Sequence, residues 1–446
     1  MRKSRSNRNL LHTFVTVAIL WIIVLVGGTL AAGYALGVTP WNAPDEPAHY
    51  NYIRHIATTG QLPVLKPGDW NAPLLERLKS AKFPKGESVD SIAYESHQPP
   101  AFYLLATPLY KATAHLPLEE RVVALRLLSV VLSGITVIVV FLIVRSIFPE
   151  ELPLQLGVAA FIAFLPMRSA ISGSISNDAF TELVATLMLL AMVHVLRAGL
   201  KRRSAFLLGL LMGIALLTKM TVYGYVPLAL LVTLVSPRQG KNGGSSRLPM
   251  VGLILLVALI VSGWWFVRNG MVYGATDIFA MQRHDQVVVG QPRFEGFTPA
   301  ALSYFTTTLF QSFWGQFGWM GILMDSQMYF VLKLITLLAA FGFLLFLLRV
   351  VLGKGSLSAD QKRSLTLMGV ALAVVVAQLI GYNLSFVQAQ GRYLYPALLP
   401  IALFFVLGLR ELMAPIHERL LLTLSMGSLA ILNVVCLTRY VIPYFR

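Results

Sequence analysis

The segment Pro44-Asp45-Glu46-Pro47-Ala48 sets two adjacent carboxylates just past the first long apolar run. Ionisable groups beside a membrane usually mark function rather than packing. A carboxylate here can take the proton of an attacking hydroxyl as a general base. Residue type and spacing leave open whether Asp45 or Glu46 is that base. Asp45 also suits the N-cap of a short helix over 46–59, closed by Gly60. At that helix N-terminus the dipole favours the ionised carboxylate. His49 lies one turn on from Asp45, and Arg54 follows on the same helix, so this surface can meet an anionic group.

Further along are other polar clusters of the same kind. Glu95-Ser96-His97-Gln98-Pro99-Pro100 closes the same loop, and His97 can donate to a phosphate or ligate a metal. Asn177-Asp178 separates two apolar runs and offers a polar contact, a metal ligand or a helix cap. Lys219 follows Gly213-Ile214-Ala215-Leu216-Leu217-Thr218, where a compact cation suits a lipid phosphate or snorkels to headgroups. Arg268 follows Trp264-Trp265 at a similar depth. Gln390-Gly391-Arg392-Tyr393 breaks two late apolar runs, and the Arg392 fork matches phosphate oxygens.

The elements that position these groups must be membrane helices. Of the 446 residues, 56% are hydrophobic and only 13% charged, against about 25% charged in soluble domains. Mean hydropathy is +0.70. The apolar runs are helix-length rather than the alternating segments of about 10 residues of a membrane barrel. The fold class is therefore all-α integral membrane, with about eleven spans near 11–36, 121–147, 154–172, 176–197, two within 204–236, 248–268, 326–351, 364–387, 393–411 and 418–440. The Thr218-Lys219 break splits 204–236. The first apolar run exceeds a signal-peptide core and reads as an uncleaved helix. The chain reads as one multi-pass domain, 1–446. It has a first outer loop at 37–120, with a surface-lying helix at 99–114, and a second outer region at 269–325 that carries Phe313-Trp314-Gly315-Gln316-Phe317-Gly318-Trp319.

The net charge of +16 reflects topology, not nucleic-acid binding. Its basic residues cluster in short loops: Arg2, Lys3, Arg5 and Arg8; Arg197, Lys201, Arg202 and Arg203; Arg238, Lys241 and Arg247; Lys354, Lys362 and Arg363. A cytoplasmic N-terminus puts all of them inside and every candidate site residue outside. The single cysteine, Cys436, excludes an internal disulfide and a thiolate cluster. No phosphate-binding Gly-Lys loop or dinucleotide fingerprint is present, so a substrate carried on a membrane lipid fits better than a nucleotide sugar.

These residues resemble the GT-C superfamily of integral-membrane glycosyltransferases, in which an acidic residue of the first outer loop lies near the catalytic centre. Gly213-Ile214-Ala215-Leu216-Leu217-Thr218-Lys219 is similar to a segment of the protein O-mannosyltransferase and aminoarabinose-transferase branch. Pro44-Asp45-Glu46-Pro47-Ala48-His49-Tyr50, His97-Gln98-Pro99-Pro100 and Gln390-Gly391-Arg392-Tyr393 together look like a bacterial group of multi-pass membrane proteins related to GT-C enzymes. The resemblance implies a GT-C-like fold with juxtamembrane helices on the outer face, in the bacterial cytoplasmic membrane. It implies transfer of a sugar from an undecaprenyl-phosphate carrier to an envelope glycan or lipid acceptor, among membrane lipids and without nucleic acid. Asp45 would be the base, with Glu46 assisting by charge or by holding a divalent metal, Mg or Mn; no cofactor is fixed. Lys219 and Arg392 would stabilise the departing phosphate, while His49, Arg54 and His97 orient donor or acceptor. Gln98, Asn177, Asp178, Arg268, Gln390 and Tyr393 complete the expected binding set. The soluble outer domain that follows the membrane part of many GT-C enzymes is not expected here. Alternatives are a flippase or transporter for a lipid-linked glycan, and an envelope-polysaccharide polymerase or ligase. The absence of an internal repeat weighs against many transporter folds.

Overall fold

The computed structural model describes residues 2–237, 247–413 and 418–445. Arg238 and Lys241 of the expected inner basic loop lie outside the described residues. The chain is helical almost throughout. Among the described residues, eight helices are long and apolar enough to cross a membrane, or nine if one bent pair counts as a span. The expected eleven are therefore not all full-length spans.

The long helices begin with α1 (Arg2–Gly37). The first outer loop then holds α2 (Glu46–Thr59), α3 (Ala72–Ser80) and α4 (Ala101–Ala112). The chain re-enters the bundle in α5 (Leu118–Ile147), then in α6 (Leu152–Phe164) and α7 (Pro166–Ser172), which meet at a 60° bend. Pro166 begins α7 and accounts for the bend, since proline cannot continue the hydrogen-bond ladder. Next come α8 (Asp178–Ala198), the short α9 (Arg202–Leu216) and α10 (Tyr225–Val235), and α11 (Leu248–Tyr273). The second outer region contains α12 (Met281–Val287) and α13 (Pro299–Trp314), followed by a two-stranded ribbon pairing Gln316 with Leu323 and Phe317 with Ile322. Helices α14 (Ser326–Val351), α15 (Ala359–Asn383), α16 (Leu398–Glu411) and α17 (Glu418–Val435) complete the bundle.

Burial separates a centre from a rim. In the most apolar 18-residue stretch of the spans at 178–198 and 391–411, 72% of the residues are buried, against 22% for that at 326–351, which leaves a row of Leu and Phe to lipid. The central pair, packed with α5 and α6, forms a frame whose outer ends carry polar residues. Helix α14 lies directly on α16, because Gly408 has no side chain and the backbone of Ala339 fills that space.

Candidate functional site

The first outer loop folds back over the bundle, with Ala101 N–H donating to Leu217 O and Leu65 N–H to Tyr273 Oη. Helix α2 runs from Glu46 to Thr59 and ends at Gly60 in a left-handed conformation, whose N–H bonds Ile56 O. Its start differs from the expectation. Asp45 occupies the N-cap position with φ 63°, and its side chain accepts no capping bond. Those oxygens are used elsewhere. Tyr94 Oη donates to Asp45 Oδ1 at 2.7 Å, and Arg392 Nη2 donates to Oδ2 at 2.6 Å.

Arg392 comes from the far end of the chain. It sits in a 3-10 turn, Gly391–Ala397, that feeds α16. Gly391 makes that turn possible: a Cβ there would overlap the backbone of Phe313, and its N–H donates to Ser312 Oγ at 2.8 Å. The Arg392 Nε donates to Gln390 Oε1 at 2.7 Å, and Nη1 reaches Asp178 Oδ2 at 3.3 Å. Asp178, the first residue of α8, also receives Lys219 Nζ at 2.5 Å. Asp45, Arg392, Asp178 and Lys219 thus form one alternating chain of charge. It joins α2, the turn before α16, α8 and the break between α9 and α10.

This chain borders a cavity of about 390 Å³ at the outer-loop end of the bundle. Asp45, His49, Glu95, His97, Gln98, Lys219, Gln390, Arg392 and Tyr393 all line it, together with His284, Gln291, Gln378, Tyr382 and Gln388. Burial pushes the Asp45 carboxyl up, but Arg392, His49 and the bonds from Arg392 and Tyr94 outweigh that, so it lies below its ordinary value and stays ionised. Burial lowers His49, with Glu95 and Asp45 opposing. Its Nδ1 lies 2.9 Å from Tyr103 Oη. Burial raises Glu95. It also lowers His97 to about 4 and His284 to about 4, so both rings are neutral near pH 7. Those rings stand 4.7 Å apart, joining the two outer regions across the cavity wall.

The family description "Dolichyl-phosphate-mannose-protein mannosyltransferase" matches residues 98–266. No curated protein matches the chain significantly. Among solved structures it is similar to ArnT from Cupriavidus metallidurans in the apo state, with TM-score 0.55, 13% identity, and coverage of 97% of this chain and 73% of that one. It is also similar to ArnT from the same organism bound to undecaprenyl phosphate, with TM-score 0.52, 15% identity and the same 97% and 73% coverage. The Archaeoglobus fulgidus oligosaccharyltransferase in the apo form matches with TM-score 0.47 and 13% identity, over 95% of this chain and 55% of that one.

The chain has the GT-C fold.

Within this GT-C bundle the expected residues separate into two groups. Asp45, His49, His97, Gln98, Lys219, Gln390, Arg392 and Tyr393 converge on the cavity, and Asp178 ties Lys219 to Arg392 from behind. The others do not join them. Glu46 is fully buried, its oxygens filled by Arg126 and by the N–H groups of Trp41 and Ile175, so it neither faces the cavity nor has room for a metal. Arg54 pairs with Asp90 at 2.5 Å on the surface. Arg268 donates to Pro63 O at 2.6 Å and lies over the Trp265 ring, fastening the loop to α11. Asn177 is fully buried beside Asp178, with no protein partner for its side-chain amide. Among the described residues no three His, Cys, Asp or Glu side chains converge to hold a metal ion.

The sequence reading missed other parts of the cavity. Tyr94 bonds Asp45 from the second half of the loop, and His284 and Gln291 come from the second outer region. For Tyr94 the nearest available signal was position: it immediately precedes the singled-out cluster Glu95-Ser96-His97-Gln98. His284 carried no comparable signal, because its place follows from how α12 packs against the Tyr94–His97 turn.

Proposed function

We propose that this chain is a membrane glycosyltransferase of the bacterial cytoplasmic membrane. It moves a sugar from an undecaprenyl-phosphate carrier to an envelope glycan or lipid acceptor on the outer face. The observation that carries the reading is the alternating chain Asp45–Arg392–Asp178–Lys219 along one cavity at the outer-loop end of the bundle. An acceptor hydroxyl bound beside Asp45 attacks the anomeric carbon. Its oxygen forms the new C–O bond, its proton passes to Asp45, and the old bond electrons leave with the carrier's phosphate oxygen. Arg392 and Lys219 supply fixed positive charge where that anion develops. The polar lining of Gln98, Gln390, His97 and Tyr393 suits the hydroxyls of a sugar.

The comparisons support this direction. One matched structure is ArnT bound to undecaprenyl phosphate, and the matched family description names a dolichyl-phosphate-linked sugar. Gathering of the charged residues at one end of the bundle, rather than along a route through it, favours transfer over translocation.

The test is envelope-glycan composition in a deletion strain complemented with wild type or Asp45→Asn. We expect loss of one sugar substituent and accumulation of its lipid-linked monosaccharide, reversed by wild type alone. Near-normal product from a well-expressed Asp45→Asn variant would remove Asp45 from the chemistry. A missing polymer whose lipid-linked precursor is trapped in the inner leaflet would replace transfer with translocation.

A further inference from the structure

Glu46 and Arg126 form a closed node beneath the cavity. Arg126 projects from the interior of α5, is 1% exposed, and has every guanidinium N–H in use. Nε and Nη2 each donate to Glu46 at 2.7 Å, Nη1 donates to Ala35 O at 2.8 Å and Val38 O at 2.6 Å, and Nη2 also reaches Thr39 O at 3.2 Å. Glu46 is equally filled. Beyond its two bonds from Arg126, Oε2 accepts from Trp41 N at 2.9 Å and Oε1 from Ile175 N at 3.1 Å. A buried ion pair in which each donor and acceptor is matched is rigid, and no part of it is free for substrate.

The node's contacts lead to both acids of the site. Glu46 follows Asp45 directly, and the Trp41 N–H it holds belongs to the same turn. Trp41 and Asp45 both have positive φ, 71° and 63°. For a bulky residue such as Trp41 this conformation persists only where surrounding contacts impose it. On the other side, Ile175 lies three residues before Asp178, whose own N–H is held by Ser176 Oγ at 3.1 Å. One carboxylate therefore clamps the turn that presents Asp45 and the loop that presents Asp178. Arg392 can touch both acids only while their separation is fixed.

We infer that Glu46 and Arg126 are positioning residues that set the distance between Asp45 and Asp178, and hence the place of Arg392 in the cavity. The inference rests on the transferase reading for its kinetic consequence, but the geometry it claims is measurable without turnover.

The experiment compares wild type, Glu46→Gln and Arg126→Lys as full-length protein in lipid nanodiscs. Glu46→Gln keeps the shape but cannot accept all the bonds that the carboxylate accepts. Arg126→Lys keeps the charge but loses the fork. Amide hydrogen exchange is followed by mass spectrometry over residues 38–44 and 172–178. Initial rates are measured with a synthetic short-chain polyprenyl-phosphate sugar as donor. We expect faster exchange in both segments of both variants. The kcat should fall by about 100-fold, the scale of a 1 Å misplacement, with the donor KM little changed. Unchanged exchange in either segment overturns the inference, as does a wild-type kcat in folded Glu46→Gln. A lost kcat with wild-type exchange overturns it differently, by making Glu46 a direct participant. If Glu46→Gln does not fold, Arg126→Lys is read by the same criteria. If wild type transfers no sugar, the transferase reading falls, and the exchange data still decide whether the node holds the two segments.

Discussion

At the scale of single residues, the sequence identified the acidic pair but could not divide its labour. Asp45 and Glu46 are adjacent, both flanked by proline, and either type suits a base. The division comes from where the backbone turns. With Asp45 left-handed, its carboxylate meets Arg392 and Tyr94 while Glu46 points into the bundle toward Arg126. Arg126 itself was readable as a lone cation inside an apolar span, a placement that demands a partner. The histidines allow a prediction at this scale. His97 and His284 are lowered to about 4 by burial, against an ordinary value of 6.5. The unfolded chain therefore binds more protons than the folded one between about pH 4 and 6.5. Their contribution to stability is present above that window and is lost as pH falls through it. Thermal melts of the detergent-solubilised protein from pH 7.5 to 4.5 should show a falling midpoint. A His97→Gln/His284→Gln variant should show a shallower fall. Equal slopes in the two proteins would mean that these imidazoles do not carry the acid sensitivity.

At the scale of elements, helix limits followed local chemistry well and tertiary roles poorly. Gly60 ends α2 as its sequence position suggested, because only a left-handed residue closes the last turn without strain. The surface helix expected near 99–114 is present as α4. The break at Thr218-Lys219 was also legible, and it places Lys219 between α9 and α10. The pattern set Arg392 in a break between two apolar runs but did not reveal what positions that break. The Gly391–Ala397 turn is short and irregular, and its position depends on contact with Phe313 from a helix about 80 residues earlier. Gly391→Ala should therefore force the turn away from α13, with a stability loss of about 1–3 kcal/mol typical of overpacking. Transfer activity should fall with it, because Arg392 is the next residue. Gly427→Ala is the control, since a Cβ there meets nothing within 4 Å. Scanning fluorimetry of the two variants decides the matter: equal midpoints would show that the backbone contact at Gly391 is easily relieved.

For the whole molecule, hydropathy made the class plain and the span count uncertain for a geometric reason. Helices α9 and α10 have 15 and 11 residues, about 22 and 16 Å of rise, so each falls short of a hydrocarbon core of about 30 Å. An apolar run of that length reads as membrane-embedded without revealing that it stops early. The short pair leaves the Lys219 break beside the cavity, which a straight full-length span would have filled. Sidedness is the property on which the proposed function depends most, because a carrier lipid would present its sugar to one face only. With the cytoplasmic N-terminus that we propose from the basic loops, Lys354 is inside, and the first outer loop, with exposed Ser88, lies outside with the cavity. Cys436 is the sole cysteine and is buried, so introduced thiols can be labelled against a quiet background. In intact cells stripped of their outer membrane, a membrane-impermeant maleimide should label Ser88→Cys at once and Lys354→Cys only after lysis. The reverse pattern would turn the cavity toward the cytoplasm. Asp45, Arg392 and Lys219 would then face a compartment that contains nucleotide sugars, and the argument for a lipid-borne donor on the outer face would lose its basis.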